Sequence, residues 1–169
     1  THPYNAVHAL RVSGPADVPA LRRSIEQACR RAGLGALEID PETRSYRYLE
    51  FKELPLDELP CGRAPEETLT QIINSGMNTR FPDSPSHPLR WSVFEEADRR
   101  AHHIVLAYRH IASDASGIEA LLAGIMRQYA GREDPATDVS LRLSPSAGNS
   151  PADSKPGWGF RLAGIARGL

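Results

Sequence analysis

Residues Ala6 to Val12, AVHALRV, mix apolar and polar side chains in the manner of a strand, and Ser13-Gly14-Pro15 ends the run with a turn. Beyond it Val18, Leu21, Ile25, Ala28, Cys29 and Ala32 recur at three- and four-residue steps. That spacing predicts a helix capped by Asp17 and ended by Gly33 or Gly35. Two short strands are predicted next, at 36–40 and 45–51, the second alternating Tyr46, Tyr48 and Glu50 with Arg47, Leu49 and Phe51. Lys52 to Ala64 carries Pro55 and Pro60 without a period and reads as a loop. Pro65 opens a second helix whose Leu69, Ile72, Ile73, Gly76 and Met77 mark one face, and the proline-rich FPDSPSHP that follows must turn the chain.

The pattern then changes to a pair of strands. Leu89, Trp91 and Val93 alternate with Arg90, Ser92 and Phe94, whereas Ile104 to Tyr108 is apolar at every position. The polar EADRR between them makes a hairpin, and the second strand is expected to be central and buried on both faces. Ser116 and Glu119 form an S-x-x-E capping box ahead of Ile118, Leu121, Leu122, Ile125, Met126 and Tyr129, so a third helix is expected to begin at about Ser116. Leu143 to Gly157 is a Ser/Pro/Gly/Asp run with too little apolar surface to offset its ordering entropy, a linker. Trp158 to Leu169 carries Phe160, Leu162, Ile165 and Ala166 among arginines, as a short amphipathic helix would. The division expected is one lobe over 1–140 and, over 141–169, a linker with an amphipathic segment that leads towards a further lobe.

With 169 residues, 40% of them hydrophobic, the chain can bury one sizeable core. Its 20 basic and 21 acidic residues nearly cancel, and no stretch gathers the basic stripe that phosphate contacts require, which argues against nucleic acid as a partner. All but Lys52 and Lys155 of the basic residues are arginine, a bias without functional weight. Cys29 and Cys61 lie far apart, with no CxxC and no histidine at ligand spacing, so no structural zinc is expected and free thiols suit a reducing cytoplasm. No apolar run is long enough to span a bilayer, and Thr1 to Asn5 lacks the features of a signal peptide.

Candidate chemistry concentrates in Tyr108-Arg109-His110-Ile111-Ala112-Ser113-Asp114-Ala115-Ser116, between the most buried strand and the best-capped helix. Strand ends of this kind favour ligand and catalytic groups. A histidine there can hold one ring nitrogen to the backbone and leave the other to accept a proton, while a carboxylate four residues on can bind an arginine that fixes the loop. His102-His103 lacks such a carboxylate, since Leu106 and Ala107 stand where it would be, and reads as strand-start polar residues. Ser113 and Ser116 have no acid placed to complete a nucleophilic triad, and Ser116 is better used as a cap. Trp91, Trp158, Tyr46 and Tyr48 read as core or sheet-face aromatics.

RHIASDASGIEALL after an apolar strand resembles the HHxxxDG motif of nonribosomal peptide condensation domains, in a superfamily that includes chloramphenicol acetyltransferase-like and plant acyl-CoA-dependent acyltransferases. RVSGPADVPALRRSIEQACRRAG is similar to that family's opening strand and first helix, and MNTRFPDSPSHPLRWSVFEE to the segment that enters a later strand at Pro-Leu-Arg. Most of residues 5 to 131 fits in order. The resemblance implies an α/β two-layer sandwich, a mainly antiparallel sheet with helices on one face, as one lobe of a two-lobed acyltransferase. It implies that His110 is the catalytic histidine and that Asp114 is structural, expected to be buried in a salt bridge with Arg30 or Arg31. Two motif positions depart: Arg109 replaces the first histidine, and Ala115 the glycine, which matters where a backbone needs a positive φ or a close approach. The family's Arg-His and Leu-Arg after the first helix are here Arg31-Ala32 and Leu34-Gly35.

The activity implied is acyl or peptidyl transfer. His110 would take a proton from a small-molecule amine or hydroxyl as it attacks a thioester on phosphopantetheine, from coenzyme A or a carrier protein, with no metal and no tightly bound cofactor. A second lobe, on the same or a separate chain, is the implied partner, without which this lobe is expected to be inactive. Two other classes compete. One is a catalytically silent condensation-like lobe used for docking, suggested by Ala115 and the single lobe; the other is a small α/β domain that binds a partner or an apolar ligand, its HxxxD accidental.

Overall fold

The computed structural model describes residues 4–43, 45–50, 54–60, 64–83 and 85–131. Cys61, the 143–157 linker and the Trp158–Leu169 segment lie outside the described residues.

Four elements make up the first part of the chain. Strand β1 (Asn5–Ser13) leads through a turn at Gly14, where φ is +93°, into helix α1 (Val18–Arg31). Asp17 caps α1 by accepting from the Ala20 N–H at 2.9 Å. The helix ends as expected at Gly33, with φ of +67°: the Gly33 N–H donates to Arg30 and the Leu34 N–H reaches back to Cys29 at 2.9 Å, the paired bonds of a Schellman motif, with Leu34 buried. Strands β2 (Leu37–Asp40) and β3 (Ser45–Tyr48) pair antiparallel as a separate small sheet. A backbone bridge between Leu37 and Ser86 ties this sheet to the segment before the later hairpin.

The 52–64 segment corrects the loop reading, because it contains strand β4 (Leu56–Glu58), paired parallel to β5 (Leu89–Glu95). At three residues β4 is too short to show a period. Arg22 of α1 secures its approach by donating to the carbonyls of Leu54 and Leu56. Strand β6 (Ala101–Arg109) completes a four-stranded sheet ordered β1-β6-β5-β4, antiparallel except at β4. β6 is central, and Ala101 to Tyr108 are all buried, as its unbroken apolar run predicts.

Helices α1 and α3 (Ala115–Tyr129) share one face of the sheet, where Leu21, Ile25, Ile118, Leu121 and Ile125 close over Trp91, Ile104, Leu106 and Tyr108. Burying each such side chain contributes about 1.5–3 kcal/mol. Helix α2 (Pro65–Asn78) departs from the one-faced arrangement and lies on the opposite face, over β1 and β6. Gly76 marks the closest approach: a Cβ there would stand 3.0 Å from both Val7 Cγ2 and Ala107 Cβ. Thr68 and Gly76 are its buried residues, while Met77, expected on the inner face, is 47% exposed.

Candidate active site

The two ends of β6 place their polar residues very differently. At its start, His102 is buried with Nδ1 2.8 Å from the Gly14 carbonyl, so Nδ1 carries the proton, and Nε2 can accept from the Tyr129 hydroxyl at 3.3 Å. That hydroxyl in turn accepts the Asp17 N–H at 2.9 Å. His103 is also buried, stacked on Phe94 with ring centroids 4.6 Å apart, and its Nε2 lies 3.0 Å from Glu96 Oε1. Arg11 grips the same carboxylate through two hydrogen bonds, at 2.7 and 3.0 Å, and these partners pull the Glu96 carboxyl down to about 2. The pair is structural, as its sequence context predicts.

At the other end, the apolar run stops and His110 stands immediately past β6, exposed, its backbone N–H donating to the Tyr4 carbonyl at 3.0 Å. Its ring makes no hydrogen bond to the described residues; its aromatic neighbour is Tyr108, with centroids 6.2 Å apart and planes at 49°. Two open grooves of the described residues, of about 410 and 320 Å³, lie elsewhere and do not include it. Arg109 completes the strand by donating its N–H to the Pro88 carbonyl, and Ser113 bonds the adjacent Asp114 carbonyl.

Asp114 corrects two expectations. It is exposed, and its Oδ1 accepts from the Gly117 N–H at 2.8 Å and from Ser116 Oγ at 3.0 Å, so Asp114, not Ser116, is the N-cap of α3. The carboxylate serves orphan helix donors, where it also meets the positive end of the helix dipole, in place of the buried arginine partnership expected. Arg30 and Arg31 occupy the last turn of α1, beside its negative end, and Arg31 donates to Gln128 at 2.9 Å. Ala115 sits at the first helical position with right-handed backbone, since Arg99 alone among the described non-glycine residues has a positive φ. Alanine in place of glycine therefore introduces no backbone strain here.

Tyr48, read from sequence as a sheet-face aromatic, takes part in the site. From β3 it donates its hydroxyl to the carbonyl of Ala112, a buried residue inside the His110–Asp114 loop, at 3.3 Å. Burial pushes the Tyr48 phenol up to about 12, which keeps it a donor. The chain leaving β3 crosses closely at Gly35, where a Cβ would collide with the Leu49 carbonyl oxygen. Glycine at this position is thus required by the crossing backbone. A long-range contact of this kind leaves no periodic signal in the chain.

No protein-family model matches the chain, and no curated protein does. Solved structures do. The X-domain from teicoplanin biosynthesis, in complex with OxyB, is similar with a TM-score of 0.66 and 20% identity over 78% of this chain and 28% of that one. The starter condensation domain of rhizomide synthetase RzmA gives 0.67 at 13% identity, over 77% and 33%. The first condensation domain of the calcium-dependent antibiotic synthetase, in complex with a substrate analogue, gives 0.65 at 19%, over 79% and 34%. The chain has a condensation-domain-like fold and spans about a third of the length of these proteins.

Proposed function

We propose that this chain is one lobe of an acyl- or peptidyl-transferring enzyme of natural-product biosynthesis, with His110 as its general base. The observation that carries the reading is the position of His110, exposed directly past the central strand of a condensation-domain-like fold, with a ring that makes no hydrogen bond to any described residue. A neutral imidazole so held can take the proton of an amine or hydroxyl as that group attacks a thioester carbonyl; the leaving thiolate then takes up a proton. The thioester is carried on phosphopantetheine, from coenzyme A or a carrier protein, and a second lobe supplies the facing wall that positions donor and acceptor. Amide or ester follows from the acceptor used.

The test is acyl transfer from a thioester by the complete two-lobed protein, by residues 1–169 alone, and by the complete His110→Ala protein. Transfer by the complete protein, none by the lobe, and a large loss in the variant support the reading. An unchanged rate in the variant overturns His110 as the base.

A second reading, a silent lobe used for docking, is favoured by one observation: Asp114 is exposed as a cap, without the buried role the motif implies. The teicoplanin X-domain, solved in complex with OxyB, is a neighbour of the same fold. A complete wild-type protein that binds a partner and transfers no acyl group from any thioester would favour this alternative.

A further inference from the structure

His110 is exposed on a loop, yet a base must be held in one orientation to act. Its aromatic neighbour among the described residues is Tyr108, with ring centroids 6.2 Å apart, and Tyr108 is itself bonded to a residue that the proposed reaction leaves unused. The β1–β6 register pairs Ala6 with Tyr108 and His8 with Leu106, which puts His8 diagonally beside Tyr108 on the face covered by α3. Their rings lie 5.7 Å apart at 33°, and the Tyr108 hydroxyl is 3.4 Å from His8 Nε2. Tyr108 is fully buried, so water does not serve that hydroxyl, and its neighbour is this nitrogen. Burial lowers the His8 pKa while the Glu119 carboxylate of α3 raises it; burial is the larger effect, which favours the neutral ring whose Nε2 can accept.

We propose that His8 is a positioning residue for His110, acting through Tyr108: it holds the buried hydroxyl and so fixes the ring against which the His110 imidazole rests. The inference builds on the reading of His110 as the base. It requires that loss of the acceptor on His8 and loss of the hydroxyl on Tyr108 be one event. Two residues that act through one bond are strongly non-additive, whereas two independent structural defects add.

The experiment is a double-mutant cycle on the complete protein with His8→Phe, Tyr108→Phe and the pair, with His8→Gln as the variant that keeps an acceptor. Imidazole NMR spectra of the full chain are recorded beside it, with the His110 signal identified by its loss in His110→Gln. The expected result is a fall in kcat of about tenfold in His8→Phe with KM within about twofold, a double variant no worse than either single one, and recovery in His8→Gln, since small misplacements of a reacting group are costly. The His110 resonance should move in both phenylalanine variants. An additive cycle, or a His110 resonance indifferent to His8→Phe, overturns the positioning role. If His110→Ala leaves transfer intact, the base reading fails by itself, and the NMR arm still decides whether His8 orients that ring through Tyr108.

Discussion

β6 carries histidines at both ends under opposite conditions. His102 and His103, at its start, are buried: both ring nitrogens of His102 are matched, to the carbonyl of Gly14 and the hydroxyl of Tyr129, and Nε2 of His103 to the carboxylate of Glu96. His110, at its end, is exposed with a ring that bonds no described residue. A buried polar group without a partner costs about 1–3 kcal/mol, so the interior recruits partners; His102, with both nitrogens so used, has no lone pair left for a substrate, and His103 is buried in its stack on Phe94. An imidazole at the open end incurs no such cost and keeps one. Two adjacent histidines in sequence are therefore the poorer candidate and the single one eight residues later the better.

The largest effect that could break this contrast is kinetic. In the complete protein, His110→Ala should lower thioester-dependent transfer about a hundred- to ten-thousand-fold. Its unfolding free energy should stay within about 0.5 kcal/mol of wild type, as for a surface residue. A stability loss with the rate intact would reverse the roles assigned to the two ends.

The mirror experiment is His102→Ala. It strands the Gly14 carbonyl and the Tyr129 hydroxyl, and opens a void between β6 and α3. A loss of about 2–4 kcal/mol in urea unfolding is expected, from unpaired groups and the cavity together. Transfer measured well below the new midpoint should change little.

A third test uses pH. Arg11 and His103 hold the folded Glu96 carboxyl at about 2, against an ordinary 4.5. A carboxylate depressed in the native state stabilises it above its unfolded value, and that contribution is lost as pH falls from about 4.5 towards about 2. Glu96→Gln should flatten this part of the acid limb in urea midpoints measured from pH 5 to 2. An identical limb in the variant would show that the His103 end is not tied by this carboxylate.

Periodicity made most of this fold legible. The spacing from Val18 to Ala32 defined α1, and the continuous run from Ile104 to Tyr108 marked a strand with cover on both sides, because burial imposes those patterns directly. β4 escaped because three residues between prolines carry no period, and its partner β5 supplies the reason it is a strand. The side of the sheet that α2 occupies escaped as well, since an amphipathic helix encodes which face it buries and nothing about where that face goes. At the candidate site, the exposed position of His110 was legible from its place after the run. The role of Asp114 was not: S-x-x-E signalled a cap at Ser116, and an aspartate two residues earlier took the position with a stronger, charged acceptor.

The smallest effect concerns the loop that carries His110 outward. Tyr48 reaches from β3 to the Ala112 carbonyl with a bond of 3.3 Å, long for a hydroxyl donor, so Tyr48→Phe should cost no more than about 1 kcal/mol. The ring stays, and with it the packing of the small sheet. What changes is local, because Ala112 also closes the turn by donating its N–H to the Arg109 carbonyl, and a loop tied at one fewer point opens more often. Amide exchange at Ala112 should quicken several-fold in the variant, while that of Leu106 in mid-β6 should keep its wild-type rate. Equal acceleration at both would mean that Tyr48 supports the whole sheet; none at Ala112 would mean that the loop holds His110 in place without help from β3.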